Sequence, residues 1–159
     1  MTELMALAVW SPIVGGVGLL GALALYVYNN RQSTGTDVMV EIAGRIHEGA
    51  MAFLRREYSV LAVFVIIVTG LLWVAIGMQT SLAYITGALS SVLAGFFGMS
   101  AATRANVRTA AAAKESGSGK ALRIAFFGGA VMGLSVAALG MVGIGVWYYL
   151  YGVQAISDA

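Results

Sequence analysis

Residues 87–134 read GALSSVLAGFFGMSAATRANVRTAAAAKESGSGKALRIAFFGGAVMGL, and this stretch decides the fold. It opens as an apolar run with Gly87, Ser91 and Gly95 four residues apart, and then passes Arg104 and Arg108. It turns through Glu115-Ser116-Gly117-Ser118-Gly119 and re-enters an apolar run carrying Gly129 and Gly133, followed by Ala137. Two runs long enough to cross a bilayer, joined by a short basic link, predict two membrane helices connected on one side. Small residues at four-residue spacing let helix backbones approach closely, which matters where lipid offers no hydrophobic gain. The two small-residue faces are expected to pack helix three on helix four, or to dock one of them on helices outside the chain.

Working outward, the whole chain has the same character. It is 60% hydrophobic and only 10% charged, whereas a soluble domain carries about a quarter charged residues, so the balance points to a membrane. Four stretches reach the length of about 20 apolar residues that a span requires: Leu4–Tyr28, Val60–Met78, Tyr84–Ala102 and Ala121–Tyr151. They predict an all-α polytopic membrane protein, because four spans cannot close a barrel and open strand edges are not tolerated in lipid.

All nine Lys and Arg residues fall in two places. Arg31, Arg45, Arg55 and Arg56 lie between spans one and two; Arg104, Arg108, Lys114, Lys120 and Arg123 lie between spans three and four. Positive residues favour the cytoplasmic side, so both termini are expected outside and both basic loops inside. Aromatic belts fit this placement, with Trp10, Trp147, Tyr148, Tyr149 and Tyr151 at the outer edges and Tyr26, Tyr28 and Tyr58 at the inner edge. Ala22-Leu23-Ala24 has the form of a signal-peptidase site, but Glu3 precedes it and no basic residue does, so the first span is expected to stay.

Asn29–Thr36 is a polar loop with a glycine, and Asp37 is expected to cap the helix that follows. Val38, Ile42, Ile46, Ala50 and Phe53 then recur at helical spacing. An amphipathic cytoplasmic extension over residues 37–58, continuous with span two, is the expectation. It would lie on the membrane surface or in solvent, or dock a partner. The outer turn between spans two and three is placed at Gln79–Ala83.

Familiar chemical motifs fail on context. Gly16-Val17-Gly18-Leu19-Leu20-Gly21 matches a dinucleotide fingerprint but sits inside a span rather than after a strand. Gly117-Ser118-Gly119-Lys120 resembles the end of a phosphate loop, but Ala121 stands where a hydroxyl is needed. His47-Glu48 has Met51 where a zinc helix needs its second His, so His47 is read as a surface or packing residue. Cysteine is absent, and no basic face interleaved with aromatics suggests nucleic acid. Apart from Arg123 at the mouth of the fourth, the spans hold no Asp, Glu, His, Lys or Arg. Ion carriers need such groups at membrane depth. Thr69, Ser90, Ser91 and Ser135 are the notable polar groups there, suited to hydrogen bonds between helices. Asp37, Glu41, Glu48, Glu57 and Glu115 are scattered, expected to be mostly ion-paired, and form no metal-binding cluster.

Gly-Met at 98–99, Arg-Ala-Asn-Val-Arg-Thr at 104–109, Phe-Phe-Gly-Gly at 126–129 and the run from Ile46 to Tyr58 (IHEGAMAFLRREY) carry a resemblance. The chain resembles the membrane-integral inorganic pyrophosphatases, which couple pyrophosphate hydrolysis to H⁺ or Na⁺ pumping. That resemblance implies the first four, outer-ring helices of a larger homodimeric pump in a bacterial or archaeal cell membrane or an internal energy-conserving membrane. It implies membrane lipid and the pump's remaining helices as partners, with Mg²⁺ for the full-length family but no cofactor here. The family's Asp-Val-Gly-Ala-Asp-Leu-Val-Gly-Lys signature is absent, so no catalytic, cofactor or metal residue transfers to this chain. Gly87, Ser91, Gly95, Gly129 and Gly133 are expected to pack helices, and Arg104 and Arg108 to anchor the cytoplasmic side on anionic head groups. The chain is expected to be the amino-terminal part of a pump, a truncated product or partial sequence, inactive alone. The alternative is a free-standing four-helix scaffold or assembly subunit; a rotary-ATPase proteolipid would need a mid-membrane carboxylate.

Overall fold

The computed structural model describes residues 2–152, with side chains from Trp10 onward. Four helices follow one another: α1 Thr2–Asn30, α2 Asp37–Ala75, α3 Met78–Ser116 and α4 Ser118–Trp147, the last widening to a π-helical turn over Tyr148–Gly152. Each is long and apolar enough to cross a membrane, and no strand occurs among the described residues. α2 and α3 have 39 residues each. At 1.5 Å per residue each is roughly 58 Å long, against a hydrocarbon core of about 30 Å, so both project well beyond the bilayer at their basic ends.

The helices form a row in the order α1, α4, α3, α2, with α4 packed along both α1 and α3 and with little contact between α1 and α3. The buried face of α4 is Ala121, Ile124, Gly128, Val131, Ser135, Ala138 and Gly145. From Ala121 to Ala138 these positions step by three and four residues, with Gly145 a further seven on, the spacing of an antiparallel seam with small residues at close contacts. α3 answers with Ala94, Gly98, Ala101, Ala105 and Ala112. Ala112, Ala121 and Ile124 close the basic end of this seam as a buried cluster.

Three glycines make the reversals. Gly35, Gly77 and Gly117 have φ of +78°, +132° and +86°, a region that L side chains rarely adopt. Gly35 is also pressed against α3, where a Cβ would lie 3.0 Å from that of Ala111. The turns fall elsewhere than the composition suggests. The turn between α2 and α3 is Ile76-Gly77 rather than Gln79–Ala83, so α2 ends before Met78 and α3 starts well before Tyr84. The polar Glu115–Gly119 stretch contracts to Gly117 alone, because one residue with positive φ suffices to separate two helices. Thr36, not Asp37, holds the N-cap position, without a side-chain cap bond; Asp37 is the first helical residue, where its charge still suits the helix dipole.

The amphipathic face of α2 is rotated from its contact face. Val38, Ile42, Ile46 and Phe53 are exposed, while Leu54 is buried against the neighbouring helix and His47 and Tyr58 reach α3 with hydrogen bonds.

Candidate functional site

The polar junction lies where the end of α1 meets the basic half of α3 and the first turns of α4. Asn29 is 5% exposed and donates from Nδ2 to the Ile124 carbonyl at 3.1 Å. Gly128 lies beside it and closes on α3: a Cβ there would meet Ala105 Cβ at 2.5 Å, while Asn29 Nδ2 would stand at an ordinary contact distance of 3.5 Å. Asn29 thus ties α1 to α4 at the point where α3 also closes on α4.

Arg108 ties α3 to α1. Its Nη2 donates to the Asn30 carbonyl at 3.2 Å and its Nη1 to the Arg104 carbonyl at 2.8 Å. The Asn30 carbonyl belongs to the last turn of α1, whose final carbonyls lack helical partners and favour a cation. Burial lowers the Arg108 pKa from its ordinary value, the nearby Arg104 charge adds to this, and Tyr26 opposes it. Arginine remains charged throughout. Arg104, four residues earlier, is exposed and stands over the Tyr26 ring with Cζ 6.0 Å from the centroid. The Asn29 and Asn30 Oδ1, Thr109 Oγ1 and Arg108 Nε atoms are buried without a protein partner, so this junction is polar in its interior as well.

α2 is pinned to α3 at two levels. Thr103 Oγ1 donates to the Met99 carbonyl at 2.9 Å, which leaves its oxygen to accept from His47 Nδ1, also at 2.9 Å. Tyr58 Oη donates to the Val92 carbonyl at 2.8 Å, crossing above Gly95, where a Cβ would lie 2.8 Å from that hydroxyl. At the opposite end of the bundle Trp147 Nε1 donates to Thr86 Oγ1 at 2.7 Å.

Of the five small residues singled out in the sequence, Gly95 meets a neighbouring helix closely. Gly87, Gly129 and Gly133 have open space where a Cβ would stand, and Gly87 and Ser91 line a groove of about 440 Å³ between α3 and α4. The close approaches inside the chain fall instead at Gly15 and Gly18 against Ala138, Gly98 against Met132, Gly128 against Ala105 and Gly145 against Pro12. Three- and four-residue steps along Ala121-Ile124-Gly128-Val131-Ser135-Ala138 were the signal for this face; uniform four-residue steps drift around the helix. Ser90 and Ser135 bond carbonyls of their own helices rather than a neighbour. That is the ordinary resort of a hydroxyl in a helix.

The acidic residues gather no metal. Asp37, Glu41, Glu48, Glu57 and Glu115 are all exposed, and no group of three or more His, Cys, Asp or Glu able to hold an ion occurs among the described residues. Nor are they mostly ion-paired. The described salt bridge is the exposed Glu41–Arg45 at 2.7 Å, while Glu115 accepts from Ser33 Oγ at 3.5 Å. Exposure screens such a pair, so it contributes little to stability. Exposed and apart from one another, these side chains do not make up a Mg²⁺ site among the described residues.

Four spanning helices bound by small-residue seams and a polar junction at one end define a polytopic α-helical membrane protein. The family described as inorganic H⁺ pyrophosphatase matches residues 16–159, and the chain belongs to that family. It is 53% identical over 144 residues to a putative K(+)-stimulated pyrophosphate-energized sodium pump of Clostridium tetani, an alignment covering 91% of this chain and 21% of that protein. A K(+)-insensitive pyrophosphate-energized proton pump 2 of Moorella thermoacetica is 44% identical over 145 residues, covering 89% and 21%. A K(+)-insensitive pyrophosphate-energized proton pump of Methanosarcina mazei is 41% identical over 144 residues, with the same two shares. The chain therefore spans about a fifth of the length of the relatives it matches.

Proposed function

We propose that these helices are the supporting, outer part of an ion pump that couples pyrophosphate hydrolysis to H⁺ or Na⁺ transport. The observation that carries this reading is a family match across all four helices combined with spans that carry packing residues and no carboxylate. The chain holds α1 to α4 in a fixed row; Mg²⁺, pyrophosphate and the ion are handled by residues of the pump outside residues 1–159. The open small-residue face at Gly129 and Gly133, and Gly87 with Ser91, receives further helices of the pump, and a second copy of the pump completes a homodimer. Arg104 anchors the basic end to lipid. Arg108 is committed to α1, so anchoring falls to Arg104.

Both termini lie outside and the two basic links in the cytoplasm, a placement supported by the position of every Lys and Arg. The absence of native cysteine makes this directly measurable. Single cysteines replacing Gln32 and Gln79 should react with an impermeant maleimide from opposite sides of sealed vesicles. The functional test is phosphate release by the purified chain given pyrophosphate and Mg²⁺. No release above the blank is expected, and release above it would overturn the supporting role.

A further inference from the structure

We infer that the groove between α1 and α3 is a binding site for one anionic phospholipid, its phosphate on Arg104 and one acyl chain along the groove. The inference rests on the membrane placement of the helices and not on the pumping activity.

The groove holds about 560 Å³ and is walled by Leu19 and Leu23 of α1 and Phe96 and Phe97 of α3, over Val131 of α4. Its floor offers no free donor at Ser135, whose hydroxyl is spent on the Val131 carbonyl at 2.7 Å. Polar groups collect at one end only, where Tyr26, Ser100 and Arg104 line the mouth. The occupant must therefore be apolar along its length and carry acceptors at that end.

Charge fixes the sign of the head. Arg104 is exposed, makes no salt bridge among the described residues, and lies near enough to Arg108 for the two cations to repel. Tyr26 stabilises the guanidinium from one side by its ring face. An anion at the mouth relieves the repulsion, and a phosphate accepts the fork of an arginine well.

Depth separates a lipid from a helix. From Leu19 to Tyr26 the α1 wall rises about 10 Å, and from Phe96 to Arg104 the α3 wall rises about 12 Å, at 1.5 Å per residue. That is close to one leaflet, half of a hydrocarbon core about 30 Å thick, whereas a transmembrane helix must run through both. The lining on α1 ends at Leu19, beyond which α1 sits directly on α4 through Gly18 and Gly15 against Ala138. A phospholipid places its phosphate at one end of a leaflet-long apolar chain, which matches both features.

The test uses the purified chain in detergent, titrated with dioleoyl-phosphatidylglycerol or dioleoyl-phosphatidylcholine and read by native mass spectrometry. One phosphatidylglycerol should be retained over phosphatidylcholine by about fivefold, the ratio that a single basic residue at an anionic surface supports. Arg104→Gln should bring the two lipids to parity, while Arg31→Gln, a basic residue outside the groove, should keep the preference. Equal retention by the unmodified chain, or equal loss in both variants, would overturn the site. In membranes, Phe97→p-benzoylphenylalanine should cross-link to lipid on illumination; a cross-link to protein instead would make the groove a helix seat and overturn the proposal.

Discussion

Gly128 of α4 faces Ala105 of α3 with no room for a methyl group between them, since a Cβ at 128 would lie 2.5 Å from the Ala105 Cβ. Asn29 of α1 fills the remaining side of the same position. The glycine thus sets the approach of α3 to α4 at a point that α1 also reaches. Gly128→Ala should destabilise the bundle by about 1–3 kcal/mol, the usual cost of overpacking. Gly129→Ala, one residue away and facing open space, should be neutral or gain up to about 1 kcal/mol of helix propensity. Thermal unfolding in detergent distinguishes the two; equal losses would mean that Gly128 is not the contact.

Tyr58 and Gly95 form a pair that should be coupled. The Tyr58 hydroxyl reaches the Val92 carbonyl only because position 95 has no Cβ. Tyr58→Phe should cost about 0.5–1.5 kcal/mol for the lost hydrogen bond. Gly95→Ala forces the ring aside and should cost at least as much, but less in the Tyr58→Phe background. A double-mutant cycle should give a coupling of about 0.5–3 kcal/mol, as contacting residues do, and additivity would exclude the arrangement.

Thr103 is the acceptor that fixes the basic half of α2. Thr103→Val keeps the shape and removes the oxygen that His47 uses. Amides around Ala43–Met51 should then exchange hydrogen faster, while those of the α2 membrane span should not change. Uniform protection in the variant would show that packing at Leu54 alone holds this segment.

Span number and helix class were legible because charge and hydropathy divide this chain so sharply. The finer geometry was not. The runs around Gln79 and Glu115–Gly119 look like loops by composition, yet helix continues through most of them, since helix needs only one permissive residue, Gly77 or Gly117, to reverse. Gly129 and Gly133 are evenly spaced, but the contact face follows three-and-four steps through Gly128. Val38, Ile42 and Ile46 advertise an apolar face on α2 that the chain itself leaves uncovered. Arg104 and Arg108 read as one pair, and only their neighbours separate them: an aromatic ring for one, the end of α1 for the other.

That separation predicts different responses to lipid. Arg108→Ala removes the donor to Asn30 and should lower stability by about 1 kcal/mol whether the surrounding lipid is anionic or not. The loss should be flat around neutral pH. Burial lowers the Arg108 pKa, so its charge carries a desolvation cost that would be relieved only by deprotonation, and arginine is not deprotonated in proteins. Unfolding midpoints in phosphatidylcholine and phosphatidylglycerol bicelles check this; a loss confined to the anionic lipid would make Arg108 an anchor after all.

Pro12 and Gly145 offer a test by suppression. A Cβ at 145 would lie 2.5 and 2.6 Å from the Cδ and Cγ of the Pro12 ring. A ring locked to its own backbone cannot turn away as a longer side chain can. Gly145→Ala should therefore pry α1 from α4 at this end, costing about 1–3 kcal/mol. The nearby bond from Ser11 Oγ to the Met141 carbonyl, 2.8 Å, should be lost with it. Pro12→Ala removes Cγ and Cδ, and combined with Gly145→Ala it should recover much of the lost stability. Gly143→Ala, where a Cβ has open space, should need no such rescue. If Pro12→Ala fails to restore Gly145→Ala, the strain lies in the backbone of α4 and the ring is not what sets the spacing of α1 from α4.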